Sequence, residues 1–214
     1  MKYLSLNSKL NYPDFSINLD SCSKHCDIYN SNVCYAKNSP QRKLNKIFKQ
    51  KLDNNVLLLD SKNLKPLELE ILASKSRLIR FFSFGDIRHI NDLRLILKLC
   101  KKLESKGIKF WLSTRNDIAL LQIDKSEIPN NVNILFSMPL DFKPHDFIIT
   151  ELKNKNIGFT EIVNNKEKSN CHASINSESC GLCEKCFTDK NIRYYAHGKH
   201  AQNRLKKWRL KKNE

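Results

Sequence analysis

Leu78-Ile-Arg-Phe-Phe-Ser-Phe-Gly-Asp86, a helical stretch from His89 to Ser105, and then Ile108-Lys-Phe-Trp-Leu-Ser-Thr114 decide the fold. The first run is aromatic and apolar and breaks at Gly85, which predicts a buried strand. In the second, Ile90, Leu93, Ile96, Leu97, Cys100 and Leu103 recur at helical spacing, and Gly107 supplies the stop. The third run is again a strand. Strand, helix and strand at this spacing are the signature of a βαβ unit and a parallel sheet.

The alternation continues on both sides. Downstream it predicts a short helix over Asp117–Gln122, a strand over Val132–Met138, a helix over Pro144–Lys155 and a last strand over Ile157–Val163. Upstream, Pro66 opens a helix carrying Leu67, Ile71 and Leu72, and Val56–Leu59 is a strand or a helix end. Ser39-Pro40 starts a helix with Leu44, Ile47, Phe48 and Leu52 on one side, expected to stop near Asn54-Asn55. Asp14–Asp20 alternates, with Phe15, Ile17 and Leu19 on one face of a strand. The predicted class is α/β, a partial (β/α) barrel or open parallel sheet, with a C-terminal Cys-rich, basic extension. The polar, aperiodic Asn164–Asn170 marks a boundary, giving a core over 1–165 with an N-terminal cysteine loop and a metal-binding segment with a basic tail over 166–214.

A chain of 214 residues is long enough to bury a substantial core. Lys and Arg outnumber Asp and Glu by 38 to 22, a formal charge of +16 that favours nucleic acid or another polyanion as partner. The alternative is a lysine-rich genome bias that leaves a basic surface without a ligand. Neither a secretory signal nor an apolar run of membrane-spanning length is present, so no membrane association and a cytoplasmic location are expected. In that reducing compartment, closely spaced thiols point to metal ligation over disulfides.

The eight cysteines fall into two groups and a remainder. Cys180-Gly-Leu-Cys183-Glu-Lys-Cys186 offers three thiolates from one compact loop, with Cys171 available as a fourth. Zinc could take the same four in a tetrahedron, whereas three in tandem lean towards an iron–sulfur cluster. Cys22, Cys26 and Cys34 form a C-x3-C-x7-C set that would leave one coordination position of a cluster or of zinc open to substrate, water or a fourth side chain. His25 lies inside that loop, either as a ligand or sulfur partner or as an exposed loop histidine. Cys100, on the apolar stripe of its helix, is expected to be a small core residue.

Parallel sheets carry their functional residues at the carboxyl ends of the strands. Those ends hold Gly85, Asp86 and Arg88, then Ser113, Thr114 and Arg115, then Ser137 and Met138. Asp86, Arg88 and Arg115 are therefore the candidate catalytic residues, with a cap on the following helix as the alternative role for Asp86. In the tail, Arg204, Lys206, Lys207, Trp208, Arg209, Lys211 and Lys212 either contact nucleic acid or form a solvated helix packed by Leu205, Trp208 and Leu210. No Ser/His/Asp nucleophile arrangement or phosphate-cradling glycine loop is recognisable.

Taken together, Cys22-x3-Cys26-x7-Cys34-Tyr-Ala, Phe84-Gly-Asp86, Phe110-Trp-Leu-Ser-Thr-Arg115, Asn131-Val-Asn-Ile-Leu-Phe-Ser137 and Cys171 with Cys180-x2-Cys183-x2-Cys186 resemble the phage and plasmid gene product 88 family. The likeness spans about residue 14 to His197. It implies an iron–sulfur protein with a fold similar to the partial barrel of radical S-adenosylmethionine enzymes, and the tandem spacing of the second set is expected to hold a 4Fe-4S cluster. Those enzymes carry C-x3-C-x2-C, so the seven-residue gap here departs from their pattern and speaks against S-adenosylmethionine as cofactor. The expected function is cluster binding with a redox or radical-type activity at the N-terminal set. The alternative is a non-catalytic nucleic-acid-binding protein stapled by zinc or a cluster.

Overall fold

The computed structural model describes residues 2–6, 12–22, 34, 45–139, 144–163, 165–171, 174–175, 183–195 and 203. They build an α/β structure around one seven-stranded open sheet, not closed into a barrel. Its strands are β1 (Leu4–Leu6), β2 (Pro13–Phe15), β3 (Leu78–Phe81), β4 (Lys109–Thr114), β5 (Val132–Ser137), β6 (Gly158–Val163) and β7 (Asn191–Tyr195), ordered across the sheet as along the chain. Among the described residues only the β1–β2 pair is antiparallel. Between the strands run α1 (Lys46–Asp60), α2 (Lys65–Ala73), α3 (Ile90–Lys102), α4 (Asp117–Gln122) and α5 (Asp146–Asn154), with the short α6 (Lys185–Thr188) before β7.

Strand alternation sorts the two faces. Phe15, Ile79, Phe81, Phe110, Leu112, Ile134 and Phe136 pack with Leu58, Leu67, Ile71, Leu93, Ile96, Leu120 and Leu152 of α1 to α5 in the main core. Asp14, Arg80, Trp111, Asn133 and Leu135 are the intervening residues and face away from those helices. There α6 closes over the sheet, and Trp111, Leu135, Cys186, Phe187, Ile192 and Tyr12 form a second cluster. The buried Asn133 amide donates to the carbonyls of Cys186 at 3.0 Å and Asp189 at 2.8 Å, fixing α6 at mid-sheet.

Several local expectations shift. The first helix does not stop at Asn54-Asn55 but continues to Asp60, so Val56–Leu59 are its last turns. Asn55 is fully buried and its amide donates to the carbonyls of Tyr3 at 2.9 Å and Ser16 at 2.7 Å, a tertiary clamp rather than a helix stop. Ile47, expected on the buried stripe, is exposed. The start expected at Ser39-Pro40 lies outside the described residues. Strand pairing of the 14–20 segment ends at Phe15, and Leu19–Ser21 is a 3-10 turn. The boundary near 165 does not divide the sheet, because β7 lies beyond it and pairs along β6 from Phe159 with Asn191 to Val163 with Tyr195. No helix among the described residues is long and apolar enough to cross a membrane.

Candidate functional site

Four of the described cysteines lie at two places, Cys22 with Cys34 and Cys171 with Cys186, each built by a different part of the sheet. The first is the carboxyl edge of β2 and β3. Past Phe81 the chain twice takes the left-handed backbone conformation, at Phe82 (φ 61°) and at Gly85 (φ 73°). A bulky residue is strained there, so the surroundings must hold it. Asp14 does so. Its carboxylate accepts from the Ser83 hydroxyl at 2.5 Å, the Ser83 backbone N–H at 3.2 Å and the Ser16 hydroxyl at 2.6 Å, while Ser16 Oγ accepts from Phe84 N–H at 3.0 Å. Gly85 then passes so close to the 17–18 segment that a β-carbon would lie 2.6 Å from the Ile17 carbonyl oxygen and 2.7 Å from that of Asn18.

This contact delivers the first cysteine loop. Ser21, one residue before Cys22, accepts from Asp86 N–H at 3.0 Å and donates to the Asn18 carbonyl at 2.5 Å. Cys22 N–H closes the turn onto Leu19 at 3.0 Å. Cys22 and Cys34 are half-buried and pack against one small cluster of Leu19, Leu52 and Phe84, with Phe48 set edge-on to Phe84 at 5.1 Å between ring centroids. Cys26 and His25 lie outside the described residues.

Beside them, Asp86 bridges two strand ends. It accepts from the Thr114 hydroxyl at 2.5 Å, Arg115 N–H at 2.9 Å and Ile87 N–H at 2.8 Å. Burial pushes its carboxyl above the ordinary range, against the opposing pull of those donors and of the Arg115 charge. It does not cap α3, whose N-cap is His89, accepting from Asp92 N–H at 3.3 Å. Arg115 reaches the Met138 carbonyl at 2.9 Å and so spans the ends of β4 and β5. Arg88 is placed differently: its guanidinium is held by Asp92 at 2.6 and 2.9 Å and by Asp60 at 2.7 Å, joining α3 to α1. Asp86 and Arg115 thus stand at the edge with Cys22, whereas Arg88 serves helix packing. Cys100 is a fully buried core residue of α3, its thiol pushed well up by burial.

The second place is the face covered by α6. Cys186 is buried, and Cys171 and Tyr194 pack against the same Trp111–Leu135 cluster. Cys171 N–H donates to the Arg193 carbonyl at 3.3 Å, anchoring it beside β7. Tyr194 Oη lies 3.6 Å from Cys186 Sγ. Burial first, then the nearby Cys186 and Cys171, push the Tyr194 phenol well above its ordinary range. The Arg80 guanidinium stacks on Trp111 at 4.3 Å from the ring, and Trp111 Nε1 is buried without a hydrogen-bond partner. Cys183 is half-buried, and Cys180 lies outside the described residues, as do Arg204, Lys206, Lys207, Trp208 and Arg209.

Among the described residues no three His, Cys, Asp or Glu side chains stand close enough together to hold a metal ion. Cys26 of the first set and Cys180 of the second lie outside that description, whereas Cys171, Cys183 and Cys186 are all within it and do not come together as three ligands. Cys22 and Cys34 pack against one apolar cluster and Cys171 and Cys186 against another, and thiolates are donors of the soft kind that suits iron–sulfur or zinc. The sequence did not single out Asp14, Ser83 or Tyr194. Tyr194 was within reach, since Asn191-Ile-Arg-Tyr-Tyr195 has strand composition and alternation. Asp14 was not, because its partners lie 69 residues away. Comparison with protein families, characterised proteins and solved structures gives no match.

Proposed function

We propose that this chain is a cytoplasmic iron–sulfur protein that binds a 4Fe-4S cluster through Cys22, Cys26 and Cys34, with redox or radical-type chemistry at that site. The observation that carries the reading is the packing of Cys22 and Cys34 against one apolar cluster at the carboxyl edge of the sheet, tied through Ser21 to Asp86. When bound, such a cluster supplies electron transfer and, with three protein ligands, an iron position open to a further ligand. The protein's own part is positional. Asp86 locks the loop before Cys22 to the ends of β3 and β4, the part of a positioning residue. Cys171, Cys180, Cys183 and Cys186 are the second candidate set, of which Cys171 and Cys186 pack against a different cluster.

Anaerobic purification followed by iron, sulfide and zinc analysis tests this. Iron and sulfide in matching amounts, lost in Cys22→Ser, are the expected result. Stoichiometric zinc without sulfide refutes the cluster and leaves a zinc-stapled protein. A spectroscopic change of the reduced protein on adding S-adenosylmethionine would identify that molecule as the ligand of the open position. The charge of +16 supports a second reading, contact with nucleic acid through the tail. Salt-dependent binding of DNA or RNA that weakens when residues 204–214 are removed is its test.

A further inference from the structure

We propose that a cleft at the amino edge of the sheet binds a free mononucleotide, with the Lys190 ammonium holding its phosphate. The proposal does not rest on the iron–sulfur reading, because no cysteine lines this cleft. Strands β4 to β7 run parallel, so the turns that lead into them meet at one edge, opposite the edge that carries Asp86 and Arg115. Lys109, Val132, Asn156 and Lys190 come from the entries to those four strands, and with Phe187 and Thr188 of α6 they line a cleft of about 650 Å³. That volume lies within the range of about 300–1,000 Å³ usual for small-molecule sites. Buried and half-buried asparagines fix its walls. The Asn131 amide donates to the carbonyls of Cys100 at 2.9 Å and Ile108 at 3.0 Å, tying the entry of β5 to α3 and β4. Asn133 holds α6 through its amide nitrogen, and its oxygen accepts from Lys190 Nζ at 2.7 Å, which gives the ammonium a set place.

Charge selects the ligand. Lys109, Lys125, Lys155 and Lys190 line the cleft with one carboxylate, Glu104, which is engaged by Lys101 at 2.6 Å. Lys109 is paired with Glu184 at 3.2 Å, and Lys155 donates to the Leu120 and Leu121 carbonyls at the end of α4. Among the described residues, Lys125 and Lys190 meet no carboxylate. Lys190 is half-buried, and that burial lowers its pKa. A half-buried ammonium bonded to a neutral amide gains from an anionic partner, and a concave wall of one sign concentrates anions. Ile108, Ile128, Pro129 and Phe187 add apolar surface to the same cleft, while the exposed Asn130 and Asn156 add amide groups. Phosphate by itself would use neither, whereas a nucleoside phosphate has a flat ring for the first and polar edges for the second.

The test is isothermal titration calorimetry of the full chain with adenosine monophosphate, adenosine, inorganic phosphate and a hexanucleotide carrying a terminal phosphate. Adenosine monophosphate should bind more tightly than adenosine or phosphate, and more weakly as salt is added. Lys190→Gln keeps the length and a donor for Asn133 and removes the charge. It should weaken adenosine monophosphate by about tenfold, the size of one charged hydrogen bond. Lys125→Gln changes an exposed residue, so its fold is not at stake, and it should weaken binding by about threefold. Lys46→Gln removes the same charge from α1, away from the cleft, and should leave binding unchanged. Equal weakening in Lys46→Gln overturns the proposal by showing a response to net charge alone. Failure of adenosine monophosphate to bind overturns it, as does phosphate binding equally well. Tighter binding of the hexanucleotide, lost in Lys190→Gln, overturns the free nucleotide as ligand and assigns the cleft to the end of a strand. Should Lys190→Gln fail to fold, Lys125→Gln decides alone, and unchanged affinity in it overturns the proposal.

Discussion

Replacing Gly85 with alanine probes the joint that places the first cysteine loop. Two separate effects act there. A non-glycine residue in the left-handed conformation at φ 73° costs about 1–2 kcal/mol. The added methyl would also meet the carbonyl oxygens of Ile17 and Asn18 at 2.6 and 2.7 Å, and both are backbone atoms that cannot swing aside. Overpacking of this kind costs about 1–3 kcal/mol more, for a total of about 2–5 kcal/mol. Gly107 provides the control. Its φ is 67°, yet nothing lies within 4 Å of its β-carbon position, so Gly107→Ala should show only the conformational part, about 1–2 kcal/mol. Urea unfolding followed by far-UV circular dichroism would give both values. The variants should differ by about 1–3 kcal/mol at equal denaturant slope. Equal losses at the two glycines would refute the argument that close approach of the 84–86 and 17–22 segments positions Cys22.

Other outcomes follow from the same contacts. Asp14→Ala should destabilise by about 2–4 kcal/mol in urea unfolding, because it leaves the Ser83 N–H and two hydroxyls without their carboxylate; a loss under about 1 kcal/mol would count against its role in holding the turn at Phe82. Burial holds the folded-state pKa of Asp86 above its unfolded value, so the titration-linked stability is present in full below the ordinary carboxyl range and is lost as pH rises through the folded value. Stability of the wild type relative to Asp86→Asn should therefore decline with rising pH across the acid range, and a flat or rising difference in unfolding midpoints would contradict this. Cys100→Ser should cost about 1–3 kcal/mol by placing a hydroxyl in the core while leaving metal content unchanged, in contrast to Cys22→Ser; loss of metal would show that Cys100 is not merely a packing residue.

The α/β class was legible in periodicity, because local spacing is what periodicity records. The alternation from Leu78 to Val163 corresponds to β3 through β6 with their helices, and Asp117–Gln122 matches α4 end to end. Misreadings came where tertiary contacts overrule local preference. Asn55 looks like a helix stop until its amide is seen clamping Tyr3 and Ser16. Phe82 reads as one more strand residue, yet Asp14 and Ser83 hold it in a backbone conformation that its own chemistry disfavours.

The candidate site divides in the same way. By itself the sequence determined the sheet-and-helix alternation, the strand ends that carry Asp86 and Arg115, and the grouping of thiols into two sets, all of which are properties of neighbours along the chain. Only the tertiary structure decided that Arg88 belongs to helix packing and that Asp86 is a lock beside Cys22. It also decided that Tyr194 stands against Cys186. Arg88 meets Asp60 and Asp86 meets Thr114 across 28 residues, and Tyr194 meets Cys186 only because β7 folds back under α6, and no local pattern encodes such meetings.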